Sequence, residues 1–153
     1  MNFAAKVRTC LSLQSEAEEA ARFYVSLLPD SEIEQIVRPG PDGPVLVVEF
    51  RLGGAPFMTL NGIAEPVSTQ MHSISVLTED QAETDDLWAK LTEGGEARQC
   101  GWLVDRFGMH WQIVPKALPQ LLSQGGPAAG RVQAAMMAMG KIDIAELERA
   151  AAE

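Results

Sequence analysis

The residues best suited to chemistry in this chain sit in strand-like stretches rather than in glycine-rich loops. In HWQIV, His110 and Gln112 alternate with Trp111 and Ile113, so a strand puts the imidazole and the carboxamide on one face and the apolar pair on the other. An imidazole, with an unperturbed pKa of roughly 6.5, exchanges a proton near neutral pH and can serve as a general base. The structural alternative is a hydrogen-bonded pocket histidine with no chemical role. Glu49 and Arg51 occupy the polar side of LVVEFRL. There Glu49 can act as a base or as the partner of an amine, or else join a solvated face or a structural ion pair. Cys10 shares one side of an N-terminal strand with Ser12 and Arg8, and its thiol becomes nucleophilic only if its pKa is lowered. A packed thiol is the alternative. Asn61 and Ser73 add short polar groups at strand ends, and Trp102 offers an aromatic wall for a ligand or a packing group for a core. The expected constellation is His110 and Glu49 as catalytic residues, with Cys10, Asn61, Ser73, Trp102 and Gln112 binding the substrate. All would line a shared hollow in which His110 and Gln112 meet Asn61 and Glu49.

Such a hollow requires elements that present alternate strand residues to one side. Val7 to Leu13 alternates as a strand, and Ser15-Glu16-Ala17-Glu18 reads as a capping box. A helix follows, with Ala17, Ala20, Ala21, Tyr24, Leu27 and Leu28 on one stripe. Strands are expected at Ile33–Val37, Val45–Leu52 and Pro56–Asn61, the last two joined by a Gly53-Gly54 hairpin. The order then recurs. A strand at Ser73–Leu77 precedes a second capping box at Thr78-Glu79-Asp80-Gln81. A helix bearing Leu87, Trp88 and Leu91 ends at Gly94-Gly95. Short strands follow around Ala97, at Trp102–Val104 and at His110–Val114, with a turn at Arg106-Phe107-Gly108. A shift of 64 places lays Leu13 on Leu77, Phe23 on Leu87, Tyr24 on Trp88 and Leu27 on Leu91. The fold class expected is therefore α+β: two βαβββ modules, about 5–61 and 72–115, forming a cupped mixed sheet over residues 1–115. Residues 116–153 make a C-terminal helical arm, with Asp143 and Glu146 capping its last helix. The arm packs on its own sheet or on a second protomer.

Bulk properties exclude several classes. The formal charge of −9 offers no basic stripe for a phosphate backbone, so nucleic acid is not an expected partner. No apolar run reaches the roughly 20 residues that span a bilayer, and MNFAAKVRTCLSL is too short and too interrupted by charge for the apolar core of a signal peptide. With Cys10 and Cys100 read as reduced thiols, the expected location is the cytoplasm.

Four stretches, AEEAARFYVSLLPDS, VEFRLGGAPFMTLNG, TEDQAETDDLWAKLTEGGE and QCGWLVDRFGMHWQIVP, together with the ending VQAAMMAMGKIDIAELERAA, resemble the PhnB-like branch of the glyoxalase/bleomycin-resistance (vicinal-oxygen-chelate) superfamily. The resemblance covers essentially the whole chain. It implies paired βαβββ modules and usually a homodimer, and the polar residues above add a small-molecule ligand in the cup. It also raises the question of a divalent metal, because enzymes of the wider superfamily hold one with His, Glu or Gln from the first and last strands of each module. Carried over position by position, the ligand set is incomplete. Gln112 stands on the last strand, Arg8 or Cys10 on the first, Met71 where a histidine is expected, with His72 one residue away, and Thr59 and Asn61 on the first module's closing strand. No cofactor is therefore assigned. Members of this branch have carried a demethylubiquinone methyltransferase label, which the residues do not support: the Gly-Gly pairs close hairpins or helices and do not form a nucleotide loop after a strand. The functional expectation is a protein of unknown substrate that binds or converts a small polar metabolite. The alternatives are a non-catalytic small-molecule binder and a dimeric interaction module.

Overall fold

A computed structural model describes residues 5–153; the first residues of MNFAAKVRTCLSL lie outside them. The chain divides into two compact units, the first ending at Val67 and the second spanning Ser68–Glu153. Among the described residues they hold two four-stranded mixed sheets and five helices, an α+β fold.

The first unit contains β1 (Thr9–Leu13), α1 (Ala17–Val25), β2 (Glu32–Val37), β3 (Val47–Leu52) and β4 (Ala55–Asn61). Its sheet runs β1-β4-β3-β2, with β1 parallel to β4 and the other pairs antiparallel. Helix α1 forms because Ala17, Ala20, Ala21 and Tyr24 recur at helical spacing, and all four are buried. They cover the side of the sheet that carries Leu11, Leu13, Val48, Phe50, Leu52 and Phe57, all buried. The Phe50 ring lies 5.7 Å from Phe57 and 6.3 Å from Tyr24 between centroids, and burying each such side chain contributes about 2–3 kcal/mol. Gly53 and Gly54 turn β3 into β4 with φ of +55° and +79°, a left-handed path that costs other residues energy.

The second unit repeats the plan with β5 (Ile74–Thr78), α2 (Gln81–Thr92), β6 (Glu96–Ala97), β7 (Trp102–Val104) and β8 (His110–Pro115), in the order β5-β8-β7-β6. Leu87 and Leu91 of α2 are buried with Val76, Leu103, Trp111 and Ile113. The arm then forms α3 (Ala117–Ser123), α4 (Gly126–Met137) and α5 (Ile144–Ala152). Its own small core joins Leu118, Val132, Ile142 and Leu147, with Val114 of β8 packed against it. The arm docks in cis. The Gln81 side chain donates to Ile142 O (3.0 Å) and accepts from the Ile144 amide (2.8 Å), while Cys100 and Gly101 amides donate to Met139 O (2.9 Å) and Gly140 O (2.8 Å).

Helix starts differ from the sequence reading. No capping box forms at Ser15: Glu16 occupies the cap position without a side-chain cap bond, and the Ala17 amide donates instead to Asn61 Oδ1 (2.9 Å). The second box lies two residues later than expected. The Glu83 amide donates to Asp80 Oδ1 (2.9 Å), and the Glu79 amide donates to Glu83 Oε2 (2.7 Å). The cap at Asp143 forms as read, accepting from the Glu146 amide at 3.1 Å.

The repeat also needs one correction. The helices begin 64 places apart, but the first strand-to-helix connection is Gln14-Ser15-Glu16 and the second only Glu79-Asp80. The strands are therefore one further place apart, and buried Leu13 corresponds to buried Thr78 while Leu77 is 62% exposed. In a strand that single residue exchanges the two faces.

Candidate functional site

Each sheet has one face against its helix and one turned away from it, and backbone register assigns every side chain to one or the other. In the second unit Thr78 Oγ1 lies 2.7 Å from Thr84 Oγ1 of α2, so Thr78, Val76 and their β8 neighbours face the helix. Trp111 and Ile113 follow that parity and are fully buried. The opposite face carries a row across the sheet in which Ser75 pairs with Gln112 and Gln112 with Trp102. One strand further, the Arg98 amide donates to Trp102 O at 2.8 Å, extending the ladder by a residue. An adjacent row joins His110, Val104 and Glu96. Four of the expected residues, Ser73, Trp102, His110 and Gln112, are thus brought to one face. Gln112 donates through Nε2 to Ser73 Oγ at 2.8 Å, which fixes its carboxamide and leaves Oε1 as an acceptor.

His110 is buried, with Nε2 2.7 Å from Ser68 Oγ, and that hydroxyl also donates to Gly108 O at 3.1 Å. One hydroxyl hydrogen cannot serve two acceptors, so both bonds hold only if Nε2–H donates to Ser68. Nδ1 is then the basic nitrogen. Burial is the main influence holding the imidazole below the ordinary histidine pKa, with the Arg98 and His72 charges acting the same way and Asp105 and Glu96 opposing them. His110 is therefore neutral at neutral pH, as a general base must be. Asp105, also buried, shapes the turn behind it by accepting from the Phe107 and Met109 amides (2.8 and 3.0 Å) and from Trp111 Nε1 (2.9 Å).

In the first unit the matching row is Cys10, Met58, Glu49 and Gln35. Cys10 is exposed on edge strand β1, not packed. Arg8 lies nearly buried beside this row. Its Nη2 is 2.5 Å from Glu34 Oε2 and 3.7 Å from Glu49 Oε2, and Nη1 donates to Phe50 O and Phe57 O at 3.3 and 3.2 Å. Glu49 is thus part of an ion-pair network that also reaches Arg51 through Glu34 (3.8 Å).

Asn61 departs from expectation. Thr59 Oγ1 donates to Ala17 O of α1 at 2.8 Å, and Asn61 shares that parity, opposite to Glu49 and Cys10. Its oxygen holds the start of α1, and its nitrogen donates to Ser15 O (3.1 Å) and Val45 O (3.0 Å). The side chain is spent on framework. The position matching Gln112 in the first sheet is Met58, which sequence counting missed because it could not see the register. Arg98 and Ser68 were missed too: Arg98 follows a two-residue strand, and Ser68 lies in a segment without periodicity. A polar groove of about 440 Å³ lined by Asp30, Ser31, Glu32, Arg51 and Gly54 holds none of the expected residues.

The donors do not fit a divalent metal. Among the described residues no three His, Cys, Asp or Glu side chains gather as a ligand set. Met58 and Gln112 stand at matching positions, and Glu49 already shares a guanidinium.

A family model described as 3-demethylubiquinone-9 3-methyltransferase matches residues 5–114. Among solved structures, the chain is similar to the PhnB protein of Bacillus cereus, which bears the same methyltransferase name. The two are 32% identical with a TM-score of 0.66, over 72% of this chain and 99% of that one. Protein PA1353 of Pseudomonas aeruginosa matches with 21% identity and a TM-score of 0.61, over 73% and 98% of the two chains. The fosfomycin resistance protein FosX of Listeria monocytogenes, in complex with Mn(II) and 1S,2S-dihydroxypropylphosphonic acid, shares the fold at 11% identity and a TM-score of 0.53, over 74% and 93%. No curated protein matches the chain. By sequence and fold together, the chain belongs to the PhnB-like family that carries the 3-demethylubiquinone-9 3-methyltransferase name, a branch of the vicinal-oxygen-chelate superfamily.

Proposed function

We propose that this protein binds a small polar metabolite on the sheet face turned away from α2, with Gln112, Ser73 and Trp102 as recognition groups and His110 as the candidate general base. The observation that carries the reading is the fixed carboxamide of Gln112, bonded to Ser73 at 2.8 Å and paired across the ladder with Trp102. A polar acceptor held rigid beside an indole suits a ligand with both a donor group and a flat or apolar surface. A neutral His110 with Nδ1 as its basic nitrogen can take a proton from such a ligand. On the first sheet, Cys10 is an accessible thiol, and Glu49, sharing Arg8 with Glu34, serves as a positioned acceptor better than as a base.

Methyl transfer is not part of this reading. The connections that open α1 and α2, Gln14-Ser15-Glu16 and Glu79-Asp80, contain no glycine, so neither makes the backbone cradle of a nucleotide-type site. No step is routed through a metal, since the donor set does not suit one, although FosX is a protein of this fold complexed with Mn(II). The protein is proposed to work as a homodimer, as the family resemblance implies, and in the cytoplasm, as two cysteines read as reduced thiols suggest.

The test is a thermal-shift screen of the full chain against small polar metabolites, followed by turnover assays on each hit. Gln112→Leu should abolish the shift of any true ligand, and Lys90→Ala, on an exposed side of α2, should leave it intact. His110→Ala separates the two versions of the proposal: an enzyme loses turnover and keeps binding, whereas a pure binder is unchanged. A hit whose shift survives both Gln112→Leu and Trp102→Ala would place the ligand elsewhere and end this reading.

A further inference from the structure

We infer that the ligand presents a small oxyanion, a carboxylate or a phospho group, and that Arg98 receives it. The inference rests on the reading that the face turned away from α2 is the ligand face, and it adds the chemical class. Arg98 belongs to that face by register, because its amide continues the β6–β7 ladder onto Trp102 O and so puts Arg98 in line with Trp102 and Gln112.

Its guanidinium is only partly used. Nη2 donates to Glu96 Oε2 at 3.1 Å, while the buried Nε–H has no acceptor. A buried donor left unpaired is costly, so proteins rarely keep one without a use. The Glu96 contact does not explain the arginine. It joins residues two apart on an exposed strand end, with side chains 39% and 65% exposed, and ion pairs of that kind contribute little. An incoming oxyanion can displace Glu96 from the exposed tip and, as the side chain turns to uncover Nε–H, give that donor its acceptor, completing the planar two-point bond for which guanidinium is built. Trp102 beside it gives the remainder of the ligand an apolar surface, and the Gln112 carboxamide accepts from a hydroxyl or amine. The Arg98 charge also bears on His110, so neutralising that charge makes the imidazole a stronger base when the ligand is seated.

The experiment uses the ¹⁵N-labelled full chain and follows the Arg98 Nε–Hε signal by NMR. Inorganic phosphate and acetate are the probes, and tetramethylammonium chloride is the control of opposite charge. A saturable shift with either anion and none with the cation is the expected result, and the preferred anion identifies the phospho or the carboxylate source. Arg98→Met should weaken that binding roughly tenfold or more. Arg98→Lys, which keeps charge and stem but loses the fork, should also weaken it and guards against a folding defect in the first variant. As a second readout, the His110 titration midpoint, set among Arg98, His72, Asp105, Glu96 and Ser68, should rise on adding the bound anion. In Arg98→Met it should already be raised and no longer respond. An Arg98 signal unmoved by both anions, or equal affinity in all three proteins, would overturn the inference. The underlying reading fails separately. If Gln112→Leu abolishes a metabolite's thermal shift and Arg98→Met does not, the face stands and the oxyanion falls. If neither variant changes any shift, both fall.

Discussion

At the scale of single residues, what a polar side chain does is decided by the groups that reach it, and Asn61 and His110 show the two outcomes. Asn61 is polar and ends a strand, yet its amide joins the start of α1 to Ser15 and Val45. Asn61→Ala should therefore cost about 1–2 kcal/mol in a urea melt, the loss of the bond to the start of α1 and of two further bonds, and leave the affinity of a ligand on the second sheet unchanged. His110 is buried and kept neutral by its surroundings, so the folded chain binds this proton less readily than the unfolded one. Its contribution to stability is then complete above the unfolded histidine pKa of roughly 6.5 and declines as the pH falls below it. His110→Gln should flatten the pH dependence of the urea midpoint in that window. The slope at lower pH should remain, since it belongs to carboxylates such as Glu18 and Asp85, held below their usual values chiefly by hydrogen bonds from Arg22 and Lys141. An unaltered slope just below pH 6.5 in the variant would show that His110 is not the group responsible.

Elements are held to one another at a few positions where no side chain fits. Gly95, which follows α2 and leads into β6, is one. A Cβ there would stand 2.2 Å from Val104 O and 3.0 Å from Asp105 Cα. These are backbone atoms of β7 and the turn beyond it, so they cannot swing aside. Gly95→Ala should destabilise by about 3 kcal/mol or more, seen as a lower urea midpoint or loss of soluble protein. Gly54 is the contrast. Its φ is +79° and nothing lies within 4 Å of its missing Cβ, so Gly54→Ala should cost only the backbone strain of about 1–2 kcal/mol. If the two substitutions proved equally mild, β6 and β7 would not lie as close as described. The helices and hairpins were legible in the sequence because amphipathic spacing and paired glycines are local signals. The caps of α1 and α2 were not, because Asn61 acts from 44 residues away and because Thr78 was needed in the core against Thr84.

On the scale of the molecule, the arm decides how much of the chain is one folded body with the second sheet. Ile142 is fully buried among Leu118, Val132 and Leu147, and its carbonyl is held by Gln81 at the start of α2. Ile142→Ala should cost about 3 kcal/mol and lower the unfolding midpoint of the second unit itself, followed through the Trp111 environment by near-ultraviolet circular dichroism. If the variant changed only the sedimentation coefficient, the arm would be an assembly device instead of part of this core.

The sequence by itself determined the α+β class, the duplicated strand-and-helix order and the family, because these follow from periodicities of about two and 3.6 residues and from long matching stretches. It also placed His110 and Gln112 on one side of their strand, since alternation within a strand is a local property, and left Trp102 open between a ligand wall and the core. Only the tertiary structure decided that Asn61 faces α1, that Met58 matches Gln112, and that Arg98 and Ser68 join the face with His110. Those facts depend on which strand pairs with which and in what register, and on the one-residue difference between two connections. A shift of a single residue sends a side chain from the helix-covered core to the opposite face, and no residue carries a mark of which it will be until its neighbour across the ladder is known.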